Sequence, residues 1–163
     1  MSVVDEVLTA NKAFAETFVA PQPTAVPRRG LAVVTCMDAR IDVFGALGLG
    51  LGEVHVIRNA GAIVTRDVVR SLVVSQHKLS TREILVMGHT DCGMEGLDED
   101  EVAAELAVTT GARPALAFGG FADVADAVRR SVQRLEATPY LPHRDAVRGA
   151  VYEVATGRVR EVT

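Results

Sequence analysis

Three short apolar runs limit the folds open to this chain. Residues 31–35 read Leu-Ala-Val-Val-Thr, residues 53–57 read Glu-Val-His-Val-Ile, and residues 83–87 read Glu-Ile-Leu-Val-Met. The first is continuously apolar and rich in β-branched side chains, the pattern of a strand buried on both faces of a parallel sheet. Helical segments separate the three. Residues 41–47 read as a short helix closed by Gly48 and Gly50. Thr65 opens a longer helix, with Val68, Val69, Leu72, Val73, Gln76 and Leu79 at helical spacing and Asp67 in the favourable first turn. Strand, helix, strand, helix, strand within about 60 residues predicts right-handed parallel crossovers. The expected class is therefore α/β, with a central, mostly parallel sheet flanked by helices. Ligands of such sheets bind beyond the carboxyl ends of the strands. Cys36, Arg58 and His89 all fall at those ends.

The remaining segments extend this frame. Ser2 with Asp5 marks a helix start, and Val4, Val7, Leu8, Ala15 and Phe18 share one helical face, ending near Phe18. A proline-spaced connector, Pro21 to Pro27, cannot be helical inside. Residues 1–28 thus form an N-terminal helix and arm on a single domain of residues 1–163. That helix either reaches across to another part of the fold or a partner subunit, or caps its own sheet. The acidic residues 98–101 open another helix running to about residue 107, 109–120 is loop, and 121–136 is an amphipathic helix with Val124, Val128, Val132 and Leu135 inward. Residues 147–154 and 159–162 form a terminal hairpin around Thr156-Gly157.

Composition narrows the partners. The net charge is -4, and no basic run exceeds a pair such as Arg28-Arg29, so nucleic acid has no electrostatic footprint to bind. No stretch approaches the roughly 18 consecutive apolar residues of a membrane span, and the N-terminus lacks the basic and apolar regions of a secretory signal. A cytoplasmic protein acting on a small molecule is expected. Hydrophobic residues make up 48% and the mean hydropathy is +0.22, an apolar excess that a second subunit would cover.

The chain has 2 cysteines, Cys36 and Cys92. Each follows one of the strand-like runs, and His89 stands three residues before the second. Two thiolates and an imidazole are the soft and borderline donors that zinc prefers, and three protein ligands leave a fourth position for water or substrate. Asp38, two residues after Cys36, is placed to fill that position itself. Three non-enzymatic or unrelated readings compete. A closed structural zinc site would hold Asp38 permanently, as a scaffold or sensor does. A thiol redox pair would need a local Cys-x-x-Cys spacing that is missing. A phosphatase loop from Cys36 to Arg40 is too short to cradle phosphate.

Cys36-Met37-Asp38-Ala39-Arg40, Arg58-Asn59-Ala60-Gly61 and Gly88-His89-Thr90-Asp91-Cys92-Gly93, in this order, resemble the β-class carbonic anhydrases, most closely the short bacterial type. The resemblance implies zinc on Cys36, His89 and Cys92, a hydroxide in the fourth position, and reversible hydration of carbon dioxide to bicarbonate and a proton. It further implies that Asp38, paired with Arg40, orients or gates the zinc water, swinging onto the metal in one subclass. A homodimer or dimer of dimers is implied as well. Arg58 resembles an arginine near the family's subunit interface that helps to hold a second bicarbonate in the gated subclass. A tryptophan belongs to that pattern, and this chain has none. Ala39 replaces the usual serine, which removes a hydroxyl but no ligand. Gly61 and Gly93 are expected to permit tight backbone, and Thr90 and Asp91 to shape the ligand loop. A related hydrolase of another small linear molecule, such as carbon disulfide, shares these residues.

Overall fold

The computed structural model describes residues 2–20 and 24–163, so residues 21–23 of the proline-spaced connector Pro21 to Pro27 lie outside the described residues. The elements follow in the order α1 (Val3–Thr17), β1 (Leu31–Cys36), α2 (Val43–Leu47), β2 (Val54–Asn59), α3 (Arg66–Leu79), β3 (Glu83–His89), α4 (Glu99–Thr110), α5 (Val124–Glu136), β4 (Val147–Tyr152) and β5 (Val159–Glu161). They build a five-stranded sheet in the order β2-β1-β3-β4-β5. The first three pairings are parallel and only β4 with β5 is antiparallel. The expected α/β class and terminal hairpin are both present.

β1 sits between the strands that follow it, so the chain leaves β1 towards β2 and returns on its other side as β3. That reversal opens a crevice at the carboxyl ends of β1 and β3, where a doubly wound sheet places its ligands. The sequence supports this centre because β1 is buried along almost its whole length, with Ala32, Val33 and Val34 fully enclosed. Thr35 is buried among them and satisfies its hydroxyl by donating to the Met87 carbonyl at 2.8 Å, which ties β1 to β3 one residue before Cys36. α5 packs on β3 and β4 at close range. A Cβ on Gly88 would meet Val124 Cγ2 at 2.7 Å and Val128 Cγ2 at 2.9 Å, so only glycine lets the helix approach the strand there.

Local signals decide where the helices begin. α2 starts at Val43 rather than at residue 41, because the Asp42 side chain accepts from the Gly45 N–H and caps it. α5 starts at Val124, capped by Asp123, whereas Phe121 forms an isolated bridge with Glu95. α4 runs past its expected end at residue 107 to Thr110, where Gly111 closes it in the left-handed conformation. α1 carries the predicted capping box between Ser2 and Asp5, yet none of its residues is buried. The reading in which α1 caps its own sheet is therefore wrong for the isolated chain. No helix among the described residues is long and apolar enough to cross a membrane.

Candidate metal centre

Cys36 ends β1, His89 ends β3, and Cys92 lies in the loop just beyond, so two adjacent strand ends deliver the three side chains to one point. Their sulfur and ring-nitrogen atoms lie within 4.8 Å of one another, and all three residues are buried. A tetrahedral zinc with the usual sulfur and nitrogen bond lengths sets its donors about 3.5 Å apart, so this group matches a metal-ligand set in type and span. Histidine geometry points the same way. Nδ1 of His89 lies 2.9 Å from the Thr90 carbonyl, which fixes the proton on that nitrogen and leaves the lone pair on Nε2. Nε2 is buried and has no hydrogen-bond partner among the described residues. An orphaned ring nitrogen facing two thiols is what a metal-binding histidine presents.

The thiols sit in different fields. The Gly61 N–H donates to Cys36 Sγ at 3.3 Å. Gly61 adopts φ +77° to do so, and a Cβ there would crowd Met94 at 3.1 Å and Phe121 at 3.2 Å, so this glycine does permit tight backbone. Gly93 does not: a Cβ there would meet nothing within 4 Å. Burial pushes the Cys92 thiol up to about 11, opposed by the Met94 backbone N–H and reinforced by neighbouring Cys36. A cation between the thiols would reverse that balance.

Asp38 stands beside this group rather than in it. Its Oδ2 lies 3.8 Å from His89 Nε2. Arg40 holds the carboxylate from the other side, with its Nε 3.0 Å from Oδ1, its Nη2 2.7 Å from Oδ2 and its backbone N–H 2.8 Å from Oδ1. These bonds keep the Asp38 carboxyl well below the usual carboxylate range, the Arg40 side chain being the largest cause. The group is thus ionised and acceptor-only throughout the neutral range.

Arg58 has a structural task that sequence reasoning missed. It donates to the carbonyls of Cys36 at 2.8 Å, Asp38 at 2.6 Å and Ile41 at 3.3 Å, pinning the loop that carries the first thiol and Asp38. Thr90 shapes the second loop as expected, its backbone N–H donating to the Tyr152 carbonyl and its hydroxyl accepting from the Val154 N–H. Asp91 does more, because its carboxylate accepts from Arg40 across 51 residues of sequence. Nothing in a single sequence announces such a pair. The other histidines lie apart: His55 bonds Ser75 and the Ala25 carbonyl, and neither His77 nor His143 belongs to the group.

Comparison with known proteins agrees with this architecture. Residues 31–113 match the family model for carbonic anhydrase. Beta-carbonic anhydrase 1 of Mycobacterium tuberculosis is 44% identical over 163 residues, covering 100% of this chain and 99% of the relative. A solved carbonic anhydrase from Streptococcus mutans superimposes with a TM-score of 0.94 at 40% identity, covering 100% of this chain and 99% of that one. A carbon disulfide hydrolase of Acidithiobacillus thiooxidans is 32% identical over 191 residues, covering 100% of this chain and 88% of the relative. The chain belongs to the β-carbonic anhydrase family.

Proposed function

We propose that this protein is a zinc-dependent carbonic anhydrase, hydrating carbon dioxide reversibly to bicarbonate and a proton. The observation that carries the reading is the convergence of Cys36, His89 and Cys92 with His89 Nε2 unpaired, while Arg40 retains Asp38 outside the set. Cys36, His89 and Cys92 hold the zinc. Bound there, the metal supplies Lewis-acid activation of water at near-neutral pH.

The chain's own residues do the rest. Asp38, ionised and able only to accept, orients the proton of a hydroxyl group beside His89 and discriminates against an oxygen that has none to give. Arg40 keeps that carboxylate aimed and charged, and Arg58 holds the loop beneath it. Because the thiolates of Cys36 and Cys92 neutralise a divalent cation, they weaken its acidifying power relative to three imidazoles, so hydration rises towards alkaline pH. Asp38 Oδ2 lies 3.8 Å from His89 Nε2, so that, with a metal held by Cys36, His89 and Cys92, an exchange of its Arg40 partner for that metal would make the Asp38–Arg40 pair the gate of the site.

Carbon disulfide is the second reading, favoured by the relative that bears that name at 32% identity. Both substrates are linear, uncharged electrophiles. Zinc-counted protein assayed with each one separates them. Turnover of carbon dioxide with none of carbon disulfide supports the first reading, and the converse overturns it. Full zinc with neither activity returns the site to a structural scaffold.

The same exposed α1 supports an oligomer. Val3, Val4, Val7, Leu8, Phe14 and Phe18 are all open to solvent in the single chain, and a helix with so much apolar surface is stabilised by packing against another subunit. A homodimer, alone or paired into a tetramer, provides that surface. A light-scattering mass equal to the 17.3 kDa chain would refute it.

A further inference from the structure

Arg40 is bound by two carboxylates. Asp91 lies between the residues His89 and Cys92, and its Oδ2 accepts from Arg40 Nη1 at 2.6 Å while its backbone carbonyl accepts from Nη2 at 2.8 Å. Asp38 takes Nε and the other proton of Nη2. The two aspartates therefore do not compete for a donor; they divide one guanidinium between them. Asp91 reaches it from a left-handed backbone, φ +55°, a conformation that residues with side chains rarely adopt and that Asp and Asn tolerate best. Turned in this way, a single residue offers both its carboxylate and its carbonyl to the same partner. Its side chain is 82% exposed, so it fills no space in the core.

We infer that Asp91 is a positioning residue, fixing Arg40 so that Arg40 retains Asp38 off the metal position. The inference rests on the metal centre proposed at Cys36, His89 and Cys92. An arginine side chain loses much rotamer freedom on being held in one place, and the Arg40 side chain is 46% exposed. With Asp91 present, that freedom is already restricted when Asp38 docks. Without it, the grip on Asp38 falls to that of an ordinary exposed ion pair. Asp38 Oδ2, already 3.8 Å from His89 Nε2, then spends more time turned to the metal and closes the fourth position.

Azide titrated against the visible absorption of the cobalt(II)-loaded protein reads access to that position without any turnover. Asp91→Asn removes the carboxylate yet keeps a residue suited to the left-handed backbone, and Asp91→Gly is a second variant that cannot strain it. Both are measured with Asp38 intact and in an Asp38→Asn background. The expected result is an azide midpoint raised about two- to fivefold by either substitution when Asp38 is present, and unmoved when it is absent. General loss of negative charge would instead tighten azide equally in both backgrounds. An unchanged midpoint, or the same factor with and without Asp38, overturns the role. Absence of cobalt–thiolate absorption in the wild type overturns the metal centre, and this role with it, and is distinguishable because no azide midpoint then exists.

Discussion

The metal centre and helix α1 are opposite kinds of structure. Much of the centre is held by groups distant in sequence: Cys36 by the Gly61 N–H, its loop by Arg58, and Arg40 by Asp91. In α1 the side-chain hydrogen bonds among the described residues are local, from the Ser2–Asp5 capping box to Thr9 on the Asp5 carbonyl, and no residue of the helix is buried. One region is specified by convergence and is the proposed seat of the chemistry. The other is specified by its own caps, and an isolated helix of 15 residues is marginal in water, which is the ground for the proposed oligomer.

The sharpest contrast comes from removal. His89→Ala or Cys92→Ala takes away a proposed metal donor, and carbon dioxide hydration should fall about a thousandfold or more if a metal held there supplies the activated water; stopped-flow rates with counted zinc check this. Deleting residues 1–20 should leave the melting of the sheet core cooperative while lowering the mass seen by light scattering to a single chain. A truncated chain that keeps its full oligomer mass would break the comparison.

Smaller effects probe how the centre is held. Arg58→Met empties three carbonyls of their donor and should lower hydration or zinc affinity about 10- to 100-fold, the range for partners that orient metal ligands. Gly88→Val drives methyl groups into Val124 and Val128 and should destabilise by about 1–3 kcal/mol, read from denaturant midpoints with unchanged slope.

Acidity provides a further test. The buried Cys92 thiol of the metal-free protein is raised from 9.0 to about 11. A raised value means that the folded state holds its proton more tightly than the unfolded one. The resulting stability is complete below about pH 9 and is lost as pH climbs towards about 11, whereas zinc uptake must release that proton and so strengthens as pH rises. Metal-free melts should therefore weaken over the same range in which zinc binding tightens. Ser2→Ala should be the smallest change, removing about 1 kcal/mol or less of helix stability at an exposed cap, visible in far-ultraviolet circular dichroism of α1 and silent in activity.

The same division explains what the sequence made legible. β1, α3 and the hairpin follow from burial pattern and caps, which are local, and Cys36, His89 and Cys92 follow from their residue types at strand ends. The Asp38–Arg40 pair is two residues apart and could be read. Asp91 on Arg40 and Arg58 on the 36–41 loop span long separations, and each depends on a backbone turn or loop path that no residue type encodes. Helix starts at Val43 and Val124 shifted because Asp42 and Asp123 turned out to be caps. Gly93 shows the reverse error, a glycine in the ligand motif with open space around it and no steric reason for being small.

The most direct test of the account is the rate of carbon dioxide hydration from about pH 6.5 to 9, measured on protein whose zinc is counted. Zinc near one per chain with a rate that climbs towards alkaline pH is the predicted result. Zinc near one per chain with no hydration at any pH in that range would contradict it, because a filled site that never turns over carbon dioxide is not the open centre proposed for Arg40 and Asp38 to maintain.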